Sequence, residues 1–277
     1  MKAKATILPG SVRVSVTPGF KKTVSRGGKT TTPQNANEAE EKERFAQSIT
    51  RAKRVLCDII DCNTWEWFVT FTFDPNNEKV KACDDVPQLC VKFLKSVRTK
   101  YKAKDIKWVL VPEPSENKKD NRLHVHGLLA NVPEEAIRVW TEADKDCPDY
   151  LRFLVKGRKR VAEFPAYGKK YGFNWLFPVH DVRGLQVYMV KNMGFADSYR
   201  GKGQHLYYAS RNVSRPAKTK TVTCNNRLYG KMEELASGSY EHKAQDGKAV
   251  FGKTFLLPDN VETGILLSQL FGDEFLE

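Results

Sequence analysis

Two short segments hold residues whose types and spacing could do chemistry together. The first, Arg122-Leu123-His124-Val125-His126-Gly127-Leu128-Leu129, carries two histidines two positions apart. On a strand they point to one face, about 7 Å apart along the chain, while Leu123 and Val125 point to the other. Such a pair can grip one cation. The second, Leu185-Gln186-Val187-Tyr188-Met189-Val190-Lys191-Asn192, carries a tyrosine and a lysine three positions apart, which share a face of a helix. Tyr188 and Lys191 could therefore both turn toward that cation. A phenol is a weak nucleophile at neutral pH because its ordinary pKa is about 10, so Lys191 and the cation are wanted to favour the phenolate. The combination allows attack of a phenolate on a metal-polarised phosphodiester. A third ligand is expected, and Glu113 is the best candidate because it ends the strand that should hairpin into the histidine strand. Two imidazoles and one carboxylate suit Mn²⁺ or Mg²⁺ and leave positions open for a phosphate oxygen and water.

The elements that must position these residues follow from the hydrophobic periods. From Asn37, a candidate N-cap, to about Asp61, the residues Phe45, Ile49, Ala52, Val55, Leu56, Ile59 and Ile60 recur at helical spacing. Residues 65–73 alternate as a strand, with Val69, Phe71 and Phe73 on one side and Phe68, Thr70 and Thr72 on the other. A break at Asp74-Pro75-Asn76-Asn77 precedes a basic amphipathic helix over 86–101. Residues 106–111 form a second strand, the polar turn 115–121 leads into the histidine strand, and Pro133 opens a helix through Trp140. Residues 141–180 are irregular and aromatic, and look like an insertion. A helix over 183–193 carries the tyrosine, and 206–209 is a short strand. The expected fold class is α+β, an antiparallel sheet with helices on one face in the split β-α-β arrangement, the other face being open. His124 and His126 then stand on the open side.

Composition places this core in a setting. The chain of 277 residues carries a formal charge of +13, and residues 151–231 alone hold seventeen Lys/Arg against three Asp/Glu. A positive block beside a cation site reads as a track for phosphates, with a merely soluble basic surface as the bland alternative. Residues 1–37, with seven Lys/Arg and no Asp/Glu, are expected to be a basic disordered arm. Residues 38–222 form the core domain, with 141–180 inserted, and 223–277 are an acidic C-terminal extension. The extension is expected to pack a plain helix on the core, with docking on a host replication protein or folding back as a DNA mimic as alternatives. The six cysteines show no C-x-x-C pair, and no stretch is apolar enough for a secretion signal or a membrane span. A reducing cytoplasm, that of a bacterial host, is the expected setting.

The segments Phe68-Val69-Thr70-Phe71-Thr72-Phe73, His124-Val125-His126 and Tyr188-x-x-Lys191 fall in the order and approximate spacing of the three motifs of the HUH endonuclease superfamily. Within it the chain most resembles rolling-circle replication initiators of small phages and plasmids. The later Tyr207-Tyr208-Ala209-Ser210-Arg211…Pro216 resembles the stretch that follows the catalytic helix in the phage-type proteins. The resemblance spans roughly residues 60–220. It implies a ferredoxin-like nuclease core and a site-specific single-strand nickase. Tyr188 attacks the scissile phosphate, stays joined to the 5′ end and releases a 3′ hydroxyl for a host polymerase, with a host helicase in support. His124, His126 and Glu113 hold the cation, and Lys191 positions phosphate or tyrosine. Arg183, Lys202, Arg211 and Arg215, with the strand hydroxyls Thr70 and Thr72, are expected to contact single-stranded or hairpin origin DNA. Gly184 and Asn192 stand where a second catalytic tyrosine or aromatic occurs in relatives, so a single-tyrosine enzyme is expected, in which a second subunit or a water completes the second transfer.

Other readings remain open at this point. A single-tyrosine relaxase or transposase shares the same motifs. Two histidines and a glutamate also describe a non-haem iron oxygenase, against which the His-x-His spacing and the mixed helix and strand pattern count. A non-catalytic module could read single strands with Trp65, Trp67, Trp108 and Phe68 as stacking platforms. Gly247-Lys248-Ala249-Val250-Phe251-Gly252-Lys253-Thr254 satisfies the phosphate-loop pattern, but no apolar strand leads in and Pro258 blocks the helix that should follow.

Overall fold

The computed structural model describes residues 1–17, 38–114, 123–156, 160–193, 205–216, 219–243 and 250–272. In chain order its elements are β1 (Lys2–Leu8), β2 (Ser11–Thr17), α1 (Glu38–Asp61), β3 (Trp67–Thr72), α2 (Glu78–Lys81), α3 (Pro87–Lys100), β4 (Lys107–Pro114) and β5 (Leu123–Ala130). There follow a 3-10 turn (Glu134–Ala136), β6 (Arg138–Trp140), α4 (Asp149–Val155), β7 (Val161–Glu163), α5 (Pro165–Gly168), β8 (Asn174–Pro178), α6 (Val182–Asn192) and β9 (Tyr208–Ala209). The chain closes with β10 (Thr219–Thr223), α7 (Asn226–Leu235), β11 (Gly238–Lys243), β12 (Val250–Pro258) and α8 (Val261–Phe271). The fold is α+β, and two compact units divide it: Asn37–Ser214, and Met1–Ala36 with Arg215–Glu277.

The unit Asn37–Ser214 is built on a seven-stranded antiparallel sheet in the order β6-β7-β8-β3-β5-β4-β9. The histidine strand β5 runs between β3 and β4, so its position is fixed from both sides. Strand alternation sorts the side chains of these strands into two faces. On one face Trp67, Val69 and Phe71 of β3, Trp108 and Leu110 of β4, and Val125 and Leu129 of β5 pack against Phe93, Leu94 and Val97 of α3 and against Phe164 and Tyr167. Each such fully buried side chain contributes about 1.5–3 kcal/mol relative to exposure. On the other face Val109, Val111, Leu128 and Ala130 meet Leu56, Ile59 and Ile60 of α1 and Met189 of α6. Gly127, the residue after His126, allows β4 and β5 to close up, because a Cβ there would run into Leu110 and the Val109 carbonyl.

The second unit is a five-stranded antiparallel sheet in the order β10-β1-β2-β12-β11. Its core joins Ala3, Ala5, Val12, Val14, Val16, Phe255 and Leu257 to Met232 of α7 and to Leu266, Leu267, Leu270 and Phe271 of α8. The C-terminal apolar patch is thus a helix packed on a core, the plainest of the three expected fates.

Five expectations are corrected. Residues 2–17 are not a disordered arm but a paired hairpin, while 18–37 lie outside the described residues. Their strand partners stand about 200 residues later, so no local pattern announces them. The segments 1–37 and 223–277 are therefore one unit rather than an arm and an extension. Residues 134–140 form a 3-10 turn and a three-residue strand instead of a helix. Residues 141–180 are not an insertion, since β7 and β8 complete the sheet, with β8 directly against β3. Finally, helices cover both faces of the sheet, and the face carrying the histidines is open only where α1 and α6 leave off.

Candidate active site

Cross-strand register assembles the site. Thr70, His126 and Val111 oppose one another across β3, β5 and β4, and Thr72, His124 and Glu113 form the next row. Because opposed residues share a face, both imidazoles, both threonine hydroxyls and the Glu113 carboxylate stand on the α6 side of the sheet. Thr70 Oγ1 lies 3.0 Å from His126 Nδ1, and Thr72 Oγ1 lies 3.2 Å from His124 Nδ1. A hydroxyl can donate or accept, so each tie survives a change of imidazole protonation and leaves Nε2 for other partners. Phe68, on the same face, stacks on the His126 ring with centroids 5.7 Å apart and planes 6° from parallel.

Helix α6 brings the tyrosine to this row. Asp181 caps it by accepting from the Gly184 N–H at 2.9 Å, a contact of a kind that contributes about 1 kcal/mol. Met189 is buried against the sheet, which turns the preceding residue toward the rim. Gln186 ties α6 to the end of α1, donating to Asp61 Oδ1 at 2.8 Å and to the Cys57 carbonyl at 3.3 Å. Tyr188, 38% exposed, donates its hydroxyl to Glu113 Oε2 at 2.7 Å and comes within 3.3 Å of His126 Nε2. Its ring meets Phe68 edge-on at 6.0 Å. Lys191 is exposed one helical turn beyond.

Glu113 is the hub. His126 Nε2 lies 2.7 Å from its Oε2, the same oxygen that accepts from Tyr188. Partial burial pushes its carboxyl up, but the hydrogen bonds from His126 and Tyr188 and the fields of both imidazoles outweigh burial, so its pKa lies below the ordinary carboxylate value.

The donor types fit a divalent cation: two imidazoles oriented through Nδ1 and one partly buried carboxylate beside them, the arrangement in which an outer hydrogen bond fixes the ligand. Among the described residues no three His, Cys, Asp or Glu side chains converge into a closed cage. The His124 and His126 ring centroids are 6.3 Å apart, and an ion would take the place of the proton shared by His126 and Glu113.

The sequence-derived residues are placed unevenly. Tyr188, His126 and Glu113 touch, and His124 joins them in the next row. Thr70 and Thr72 are buried with their hydroxyls on the imidazoles, an orienting part that the sequence reading assigned instead to DNA contact. The alternation Phe68, Thr70, Thr72 opposite a His-x-His strand was the signal that could have shown it. Arg183, Arg211 and Arg215 are exposed, Arg215 lying in the other unit, and Lys202 falls outside the described residues. Trp65, Trp67 and Trp108 are buried and offer no platform. The Val250–Thr254 half of the phosphate-loop match lies inside β12, where a phosphate loop would open a helix. Among the described residues no helix is long and apolar enough to cross a membrane, and the six cysteines form no disulfide.

The segment from just before β3 through α6 is also the part of the chain with a counterpart. Residues 66–193 match the family model of the replication-associated protein ORF2. The match contains Thr70, Thr72, Glu113, His124, His126 and Tyr188 together, and it supports a rolling-circle replication initiator. No curated protein and no solved structure matches the chain.

Proposed function

We propose that this protein is a single-tyrosine, metal-dependent endonuclease and strand transferase of the HUH type, nicking single-stranded origin DNA to begin rolling-circle replication. One observation carries the reading: the Tyr188 hydroxyl meets Glu113 and His126 at a partly open rim of the sheet. His124, His126 and Glu113 would hold Mn²⁺ or Mg²⁺, which when bound polarises a phosphate oxygen as a Lewis acid.

The chain's own residues do the rest. The Tyr188 oxygen bonds to phosphorus as the bond from phosphorus to the 3′ oxygen breaks. The phenol proton departs along the hydrogen bonds toward Glu113 and His126 and on to solvent, and the 3′ oxygen takes a proton from water. Protein remains on the 5′ phosphate, and the free 3′ hydroxyl serves a host polymerase, with a host helicase opening the duplex in the bacterial cytoplasm. Lys191 lies close enough in sequence to favour the phenolate, while Arg183 and Arg211 supply phosphate contacts whose strength falls with salt.

The test is a denaturing gel of protein, Mn²⁺ and single-stranded origin oligonucleotides. The wild type gives a shifted, denaturation-resistant band and Tyr188→Phe gives none while binding DNA within a few fold. His124→Ala abolishes cleavage. A band that persists in Tyr188→Phe, or full cleavage by His124→Ala at ordinary Mn²⁺, refutes the assignment.

A further inference from the structure

The strand on the far side of β3 continues the site's face with aromatic side chains. Trp175 opposes Thr70 and Phe177 opposes Phe68, and the Thr72 N–H donates to the Phe173 carbonyl at 2.8 Å. By strand alternation Phe173, Trp175 and Phe177 share the face of His124 and His126. Each row across the sheet therefore runs aromatic, threonine, histidine in two cases, and Phe177, Phe68, Leu128 in the third. Phe173 is 48% exposed, and Trp175 and Phe177 are partly exposed beside Leu151, Leu154 and Val155 of α4. Gly172 fixes the entry to this row: with φ +148° it passes so near the Thr72 carbonyl that a Cβ would stand 2.5 Å from that oxygen. Exposed Lys169 and Lys170 precede it.

Three aromatics on one strand are not needed to close the core beneath, because the opposite face of β8 already buries Asn174 and Leu176. Large rings left partly in water beside cationic residues match unpaired bases on a phosphate backbone. A peptide ligand would gain from the apolar rings but not from the lysines unless it were acidic. Two strand spacings separate β8 from β5, about 10 Å, roughly one or two nucleotides from a phosphate held at the histidines.

We propose that Phe173 and Trp175, with Phe177 behind them, form a stacking platform for the bases of single-stranded DNA flanking the scissile phosphate. This rests on the nickase reading and names its substrate subsite. The platform sets where the strand lies on the sheet, and it prefers unpaired bases because a duplex hides their faces.

The test uses the full chain in EDTA, where no cleavage occurs. Fluorescence anisotropy compares a labelled mixed-sequence single strand with one of equal length and charge whose central residues are abasic. The wild type binds the base-bearing strand at least about fivefold more tightly, as one stacked base warrants. Phe173→Leu and Trp175→Leu each erase most of that preference, and Phe173→Tyr keeps it. If Trp175→Leu does not fold, as a melting curve shows, the exposed Phe173→Leu carries the test. Equal wild-type affinity for both strands, or an unchanged preference in the variants, overturns the platform. Adduct formation with Mn²⁺, measured on the same base-bearing strand, separates the two claims: an adduct without base preference sinks the platform alone, and base preference without an adduct sinks the nickase alone.

Discussion

Two tyrosines lie on opposite faces of one sheet and show what each face is for. Tyr167 is buried among Phe71, Phe93 and Phe164, with its hydroxyl 3.5 Å from the Thr72 carbonyl and 3.9 Å from Cys90 Sγ. Burial, with Cys90 beside it, raises its pKa well above the ordinary phenol value, so it stays neutral. Tyr188 stands at the rim of the other face, with a carboxylate oxygen and an imidazole nitrogen on its hydroxyl. The two residues share a neighbour, since the Thr72 backbone receives Tyr167 while its side chain holds His124. A phenol surrounded by apolar rings is structure. One given charged partners and an opening to solvent is positioned for chemistry.

The sharpest way to break this contrast is to exchange the losses. Tyr188→Phe should abolish the covalent adduct yet melt within about 2–4 °C of the wild type, read by gel and by calorimetry. Tyr167→Ala should cost about 3–5 kcal/mol in denaturant unfolding through the cavity it leaves, while the folded fraction still forms adduct. Loss of adduct per folded molecule in Tyr167→Ala would erase the distinction.

A smaller effect is expected from the threonines. Thr70→Val keeps shape but removes the hydroxyl from His126 Nδ1, and the loss of such an orienting bond costs roughly 10–100-fold in metal affinity. Titration calorimetry with Mn²⁺ checks this, and an unchanged affinity would make Thr70 merely a packed residue.

The pH dependence of Glu113 has a definite sign. Its folded pKa is depressed, so its stabilising contribution is present above the unfolded value, about pH 4.3, and is lost as pH falls through the folded one. Glu113→Gln should therefore be less stable than the wild type at pH 7, with the gap closing in strong acid. A gap that widens on acidification would contradict the hub geometry. Smallest of all, Arg183→Ala and Arg211→Ala should each lower the salt slope of single-strand binding by about one, while a charge-reversal on the buried face would change stability instead.

Much of the site was legible before the fold. The His-x-His strand, the helix carrying Tyr188 and the choice of Glu113 follow from period and spacing, because each is a local signal on an element long enough to show it. The neighbours of β3 were not legible. Strands of three to five residues such as β7 and β8 show too little alternation, so Trp175 and Phe177 read as an insertion rather than as the site's next strand. The hairpin of residues 2–17 was missed for a different reason: its small and polar residues make sense only against β10 and β12, some 200 positions later. The open face failed as well, since the same α6 that delivers Tyr188 must cover part of that face to do so.

The most direct measurement maps the covalent bond. The protein is incubated with Mn²⁺ and a random-sequence pool of single-stranded DNA, the denaturation-resistant adducts are isolated, and nuclease and trypsin reduce them to peptides for mass spectrometry. The account predicts a nucleotide on the peptide 184–191, at Tyr188. A nucleotide on Tyr207, Tyr208 or any other residue, or no adduct at all, would contradict it.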